Sequence, residues 1–190
     1  MLCGLDIDGV LCDLGPSVAA RIADRFGVSS HPSTWRSYDL RLLRLGVPAD
    51  RFAAFLDETF HDPDLYAAAP VCDGVASALA DLRGAGWTLV GITARPPPLA
   101  GPTQAWLARH RLPLEEVHHT EVGAKAAVAR RLGTDVTVED NPAEAELLAE
   151  VCESWLLDRP YNRSAALAGA RRLSSWDEAV GRLCQLRLFA

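Results

Sequence analysis

The sequence predicts an α/β fold: a parallel sheet flanked by helices, with a small helical insert after the first strand. Strand-like apolar runs at about 2–7, 87–92, 135–138 and 154–157 alternate with helical patterns, as in a sheet built through crossover helices. Residues 15–69, by contrast, carry helical periodicity and no strand-like run. At 190 residues the chain can bury a substantial core and suits one such domain with an insert. The expected division is a core of residues 1–14 and 70–190 and an inserted helical cap of residues 15–69.

The first run, Leu2-Cys3-Gly4-Leu5-Asp6-Ile7-Asp8-Gly9-Val10-Leu11, is an apolar strand that delivers two carboxylates and a glycine. A side-chain period of two sends Asp6 and Asp8 to one side and Ile7 to the other. Like charges this close repel unless a cation or a proton lies between them, and a divalent metal is the natural solution. The plainer reading is an Asx-type turn closing an ordinary strand.

In the insert, Pro16 opens a helix whose Val18, Ile22 and Phe26 share a face before Gly27 ends it. Asp50 caps a second helix, with Phe52, Phe55, Leu56 and Phe60 on its apolar stripe. The aromatic residues here read mainly as packing. Trp35 and Tyr38 are the exceptions, because no helical face accounts for them in the polar stretch His31 to Asp39, and both are candidate substrate contacts.

Beyond the insert, Asp73 reads as the N-cap of a helix carrying Val75, Leu79 and Leu82, with Gly84 and Gly86 behind it. The next strand ends in Ile92-Thr93-Ala94-Arg95, and Pro96-Pro97-Pro98 then forms a stiff loop. A short third strand is expected near 116–118, and Lys125 lies on a helix starting near Val122. The run Val136-Thr137-Val138 ends in Glu139-Asp140, and Pro142 opens the helix after it. Following the strand at 154–157, Ser175 and Glu178 form a capping box for the last helix. Arg130-Arg131 and Arg171-Arg172 read as solvated faces, and His110, His118 and His119 as partly exposed structural residues.

Composition excludes several function classes. A formal charge of −6 argues against a nucleic-acid surface, which needs clustered Lys and Arg, but leaves small phosphorylated metabolites open. Cysteines 3, 12, 72, 152 and 184 are widely spaced and contain no Cys-x-x-Cys, which suggests neither a disulfide framework nor a zinc site. No stretch approaches the roughly 18 apolar residues of a membrane span, so the expectation is a cytoplasmic protein with no membrane partner. Lys125 is the only lysine in the chain, so a role that requires an ammonium is a natural reading for it.

In order and spacing, Asp6 and Asp8, Thr93, Lys125 and Glu139-Asp140 resemble the four motifs of the haloacid dehalogenase-like (HAD) phosphohydrolase superfamily. The resemblance implies a Rossmann-like core with a specificity cap between the first two motifs. It also implies Mg²⁺, held by the Asp6 side chain, the Asp8 backbone carbonyl and the Asp140 side chain, with Glu139 beside the ion or taking part. Asp6 would be the nucleophile that forms an aspartyl-phosphate, and Asp8 the general acid and then base. Thr93, the N–H groups around Ala94 and the Lys125 ammonium would bind the phosphoryl group.

Further segments are similar to the 5′-nucleotidase branch containing the 5′(3′)-deoxyribonucleotidases and their bacterial relatives. These are Asp6 to Asp13, Ile92 to Pro96, Glu139 to Pro142 and, above all, Leu156-Leu157-Asp158-Arg159-Pro160-Tyr161-Asn162. The implied substrate is a nucleoside monophosphate, with Arg95 and Arg159 as further candidate contacts. A sugar-phosphate or other small-metabolite phosphatase, and a phosphoryl-binding regulatory protein without turnover, are the competing readings.

Overall fold

The computed structural model describes residues 1–188. Six strands form one parallel sheet: β1 (Leu2–Leu5), β2 (Thr88–Thr93), β3 (Val117–His119), β4 (Val136–Glu139), β5 (Glu153–Leu157) and β6 (Arg171–Leu173). Their order is β3-β2-β1-β4-β5-β6. The chain therefore leaves β1 first toward one edge and later toward the other, so crossovers diverge on either side of β1. The C-terminal ends of β1, β2 and β4 meet at that point.

Helices cover both faces. Cys3, Leu5, Leu89 and Val138 pack with Val75, Leu79 and Leu82 of α4 (Val75–Gly84) and Ala179 and Leu183 of α8 (Trp176–Leu188). On the other face Val90 and Ile92 meet Ala129 of α6 (Lys125–Leu132) and Leu148 of α7 (Pro142–Ala149). A fifth helix, α5 (Ala100–Arg109), buries Trp106, whose indole N–H donates to the Ala69 carbonyl at 2.8 Å.

Between β1 and α4 the regular elements are α1 (Gly15–Phe26), α2 (Ala49–His61), α3 (Pro63–Ala68) and two short 3-10 turns. Val18, Ile22, Trp35, Phe52, Phe55, Leu56, Leu65 and Tyr66 make an apolar cluster of their own, joined by Leu99. Gly27 ends α1 at φ 67°, a conformation open to glycine at little cost. Among the described residues, no helix is long and apolar enough to cross a membrane.

The structure corrects several local expectations. Asp50 lies in the first turn of α2, where Pro48 is the N-cap and the turn gains no side-chain cap. Gly74 at φ 79°, rather than Asp73, precedes α4. The helix bearing Lys125 starts at Lys125 itself, after a turn through Gly123. Glu178 accepts from Ser174, through its N–H at 2.8 Å and its hydroxyl at 2.7 Å, while the Ser175 hydroxyl accepts from the Glu178 N–H at 3.2 Å.

The largest difference is β6. Arg171 and Arg172 fall in an edge strand; Arg171 is exposed as expected, whereas Arg172 is half-buried and reaches Asp158, Asn162 and the Ala165 carbonyl.

Candidate active site

Asp6 follows the central strand, anchored by its N–H to the Val138 carbonyl at 3.0 Å. Ile7 behind it is fully buried, and Asp8 lies in the following turn with its carboxylate partly open to a cavity. That turn needs Gly9, which has φ 76°; a Cβ there would collide with the Asp140 carboxylate and the Tyr161 hydroxyl.

The neighbouring strands bring the remaining residues. Thr93 ends β2, buried, and its hydroxyl accepts from the Arg95 N–H at 3.2 Å; Ala94 lines the cavity beside it. Lys125, the first residue of α6, is 3% exposed. Its ammonium lies 2.9 Å from Asp6 Oδ1 and 3.0 and 3.1 Å from the two oxygens of Glu139. Asp140 continues from β4; one carboxylate oxygen accepts from the Tyr161 hydroxyl, while the other is buried without a partner.

Four expected substrate contacts fall in different places. Trp35 is buried in the apolar cluster formed between β1 and α4, its indole N–H donating to Ser30 Oγ at 2.9 Å, and it also lines the cavity. Tyr38 is half exposed, lines the cavity and meets Tyr161 edge to face at 6.0 Å between ring centres. Arg95 is buried against Asp8, with which it shares three hydrogen bonds. Arg159 donates to the Gly9 carbonyl at 2.6 Å and so braces the turn that carries Asp8.

Sequence reasoning assigned no role to three further residues. Tyr161 and Asn162 follow β5; Asn162 Nδ2 donates to the carbonyls of Asp140 and Leu157, tying the two strand ends together. Their position just past a core strand, at the same end as the acids, was the available signal. Glu144 is buried in α7, accepts from the Gly123 N–H and lines the cavity.

The electrostatics suit a cation. Carboxylate oxygens of Asp6, Glu139 and Asp140 lie within 4.8 Å of one another, and Lys125 is the one ammonium beside the three acids. Burial pulls the Lys125 pKa down, but the Asp6 and Glu139 charges outweigh it and raise it overall, so the ammonium is held charged. One such charge cannot balance three ionised carboxylates. Oxygen-only donors and the unpartnered Asp140 Oδ1 fit a hard divalent cation.

Burial, and next the Asp6 charge, lifts the Asp140 carboxyl to about 7; burial also raises Asp6 and Glu139. An acid with a raised folded-state pKa stabilises the fold while protonated. That contribution is complete below the ordinary value of 3.8 and is lost as pH climbs through about 7. The melting temperature of the cation-free protein should therefore fall between about pH 4 and about pH 7. The rise produced by a divalent cation should grow over the same interval, because fewer protons need to be displaced. Thermal scans with chelator and with Mg²⁺ read both trends; a cation effect independent of pH contradicts the expectation.

A six-stranded parallel sheet with acids gathered at the end of its central strand, a buried lysine beside them and residues of α1, α2 and α3 lining the same cavity is the arrangement of a HAD-type hydrolase. A family model covering residues 1–189 makes the assignment specific: the chain belongs to the 5′ nucleotidase, deoxy (pyrimidine), cytosolic type C protein family, and is a phosphoric monoester hydrolase. A Halalkalibacterium halodurans protein designated a candidate nucleotidase, BH1399, is 29% identical over 181 residues, covering 93% of this chain and 89% of its own.

Solved structures agree on the fold. A HAD family hydrolase of Deinococcus radiodurans R1 superposes with a TM-score of 0.68 at 20% identity, covering 98% of this chain and 96% of that one. The D,D-heptose 1,7-bisphosphate phosphatase of B. bronchiseptica gives 0.56 at 18% identity, covering 97% and 98%.

Proposed function

We propose that the protein is a Mg²⁺-dependent 5′-nucleotidase acting on nucleoside monophosphates through an aspartyl-phosphate on Asp6. The observation that carries this reading is a cavity of about 610 Å³ with Asp6, Asp8, Thr93, Lys125 and Asp140 in the sheet-end wall and Val18, Trp35, Tyr38, Leu56 and Phe60 of the insert in the other. A small charged floor under a large, mostly apolar wall matches a phosphate carrying a bulky organic group. The family description and the BH1399 designation point the same way. The Deinococcus hydrolase was solved with phosphate and sodium, and the heptose bisphosphate phosphatase with magnesium and phosphate.

Asp6 and Asp140, with the Asp8 backbone carbonyl, would hold the ion, which when bound neutralises the repulsion between carboxylate and phosphate dianion. Glu139, with both oxygens on Lys125, would anchor that ammonium, which in turn holds Asp6 and a phosphoryl oxygen. In the first step an Asp6 oxygen bonds to phosphorus, the ester P–O bond breaks and Asp8 gives its proton to the departing oxygen. In the second, Asp8 takes a proton from water as the water oxygen bonds to phosphorus and the bond to Asp6 breaks. Phosphate is released and Asp8 is protonated again.

The test is phosphate release from deoxynucleoside monophosphates, sugar phosphates and a small generic ester, with Mg²⁺ and with excess chelator. Preference for nucleotides and loss of turnover in chelator are expected. Equal kcat/KM across the panel supports a general phosphatase instead, and full activity in chelator removes the metal.

For the insert, Tyr38 is the candidate to stack on a base, since it is exposed within the cavity. Stacking of this kind is worth about 1–3 kcal/mol per base, so Tyr38→Ala should raise KM for nucleotides about tenfold and leave the small ester nearly unaffected. An equal loss on both would assign the ring to packing.

A further inference from the structure

Arg95 leads away from substrate binding and toward control of Asp8. It sits two residues past the end of β2, and its guanidinium is almost wholly enclosed, with 1% side-chain exposure. Nε donates to Asp8 Oδ2 at 2.9 Å and Oδ1 at 3.1 Å, and Nη2 donates to Oδ1 at 2.6 Å. Nη1 donates to the Thr103 hydroxyl of α5 at 3.1 Å. The fork thus grips both carboxylate oxygens of Asp8 from the protein side, and Asp8 keeps 27% of its own side chain open on the cavity side.

The grip is itself held by the insert. The Tyr66 ring of α3 covers the guanidinium, 4.3 Å from its central carbon, with the Trp106 ring at 6.0 Å. The Tyr66 hydroxyl donates to the Phe60 carbonyl at 2.7 Å, which fixes the ring to α2. At the other end of the residue, the Arg95 N–H is held by Thr93 and its carbonyl by the His119 ring at 3.0 Å. All three guanidinium nitrogens are thus engaged within the protein, and the Tyr66 ring lies over the group.

We propose that Arg95 is a positioning residue that aims the Asp8 carboxylate, and that Tyr66 of the insert keeps Arg95 in place. The insert then contributes to the proton-transfer machinery as well as to the walls of the cavity. This rests on the reading of Asp6 as nucleophile and Asp8 as acid and base given above. The effect is clearest in the second step, where Asp8 acts as a carboxylate, the form that the guanidinium fork matches. The substrate's organic group has already left by then, so contacts between Tyr66 and that group cannot contribute to the readout.

The experiment is rapid-quench kinetics of the full chain with Mg²⁺ and 4-nitrophenyl phosphate, whose leaving group departs without needing a proton. It follows phosphoenzyme formation and breakdown separately in the native protein, Asp8→Asn, Arg95→Lys, Arg95→Met and Tyr66→Leu. Arg95→Met should slow breakdown about 100-fold, the lower range for losing a general base, and change formation only a few-fold, so that phosphoenzyme accumulates. Arg95→Lys, which keeps a charge without the fork, should fall between it and the native protein. Tyr66→Leu should show the same accumulation at about fivefold.

A double-mutant cycle separates positioning from damage to the fold: in an Asp8→Asn background, Arg95→Met should slow breakdown no further. Accumulation in Asp8→Asn without accumulation in Arg95→Met, or equal slowing of both steps, overturns the role of Arg95 and leaves the acid–base reading intact. An additive loss in the double mutant overturns it likewise. Absence of any trapped phosphate on Asp6 in the native protein and in Asp8→Asn removes the underlying reading and this inference with it.

Discussion

Asp6→Asn should lower kcat at least about 10⁴-fold and leave no acid-trappable phosphate on the protein, because an amide cannot replace the carboxylate oxygen that bonds to phosphorus. Asp8→Asn should lower kcat by about 10²–10⁴-fold, yet still form the phosphoenzyme from an aryl phosphate and hold it. The contrast follows from placement. Asp6 is 6% exposed and touches Lys125, whereas Asp8 stands to one side in the turn, backed by Arg95. Quench-flow with labelled phosphate reads the two variants, and a covalent phosphate on any other residue overturns the assignment.

Lys125→Met should reduce both stability and turnover. The ammonium is enclosed with Asp6 and Glu139, and breaking a buried ion pair by removing one partner costs about 3–5 kcal/mol, since the remaining charges lose their compensation. For a chain of this size that corresponds to a fall in melting temperature of about 10 °C. Divalent cation should restore part of the lost stability by occupying the same field, but not the activity, because the proposed phosphoryl site loses its ammonium and Asp6 its anchor. A variant that melts like the native protein would mean that the three acids do not share this charge.

Much of this end of the molecule was legible because its parts lie at the ends of locally patterned segments. An apolar run that stops at an acid identifies the end of a strand, so Asp6, Thr93 and Glu139-Asp140 were readable as strand-end residues. Their convergence follows from parallel order alone. The edge strand β6 was not legible, since in Arg171-Arg172-Leu173 only Leu173 is buried and the arginines carry no alternation signal. Pairings between distant segments were also hidden. Arg95 meets Asp8 across 87 residues and Arg159 meets Gly9 across 150, and nothing local in either arginine reveals its partner. The burial of Trp35 was not legible either, because it comes from helices before and after it rather than from a periodic face of its own.

The solitary Lys125 has a consequence for handling the protein. A lysyl endoprotease has one sequence position at which to cut, and that bond lies at the start of α6 with its side chain enclosed. Cleavage must wait until the segment opens, and it yields two fragments of unequal mass that are easily told apart on a gel. The rate of this single scission therefore serves as a label-free clock for opening of the catalytic end, and its slowing by cation or phosphate would measure how tightly each holds that end shut.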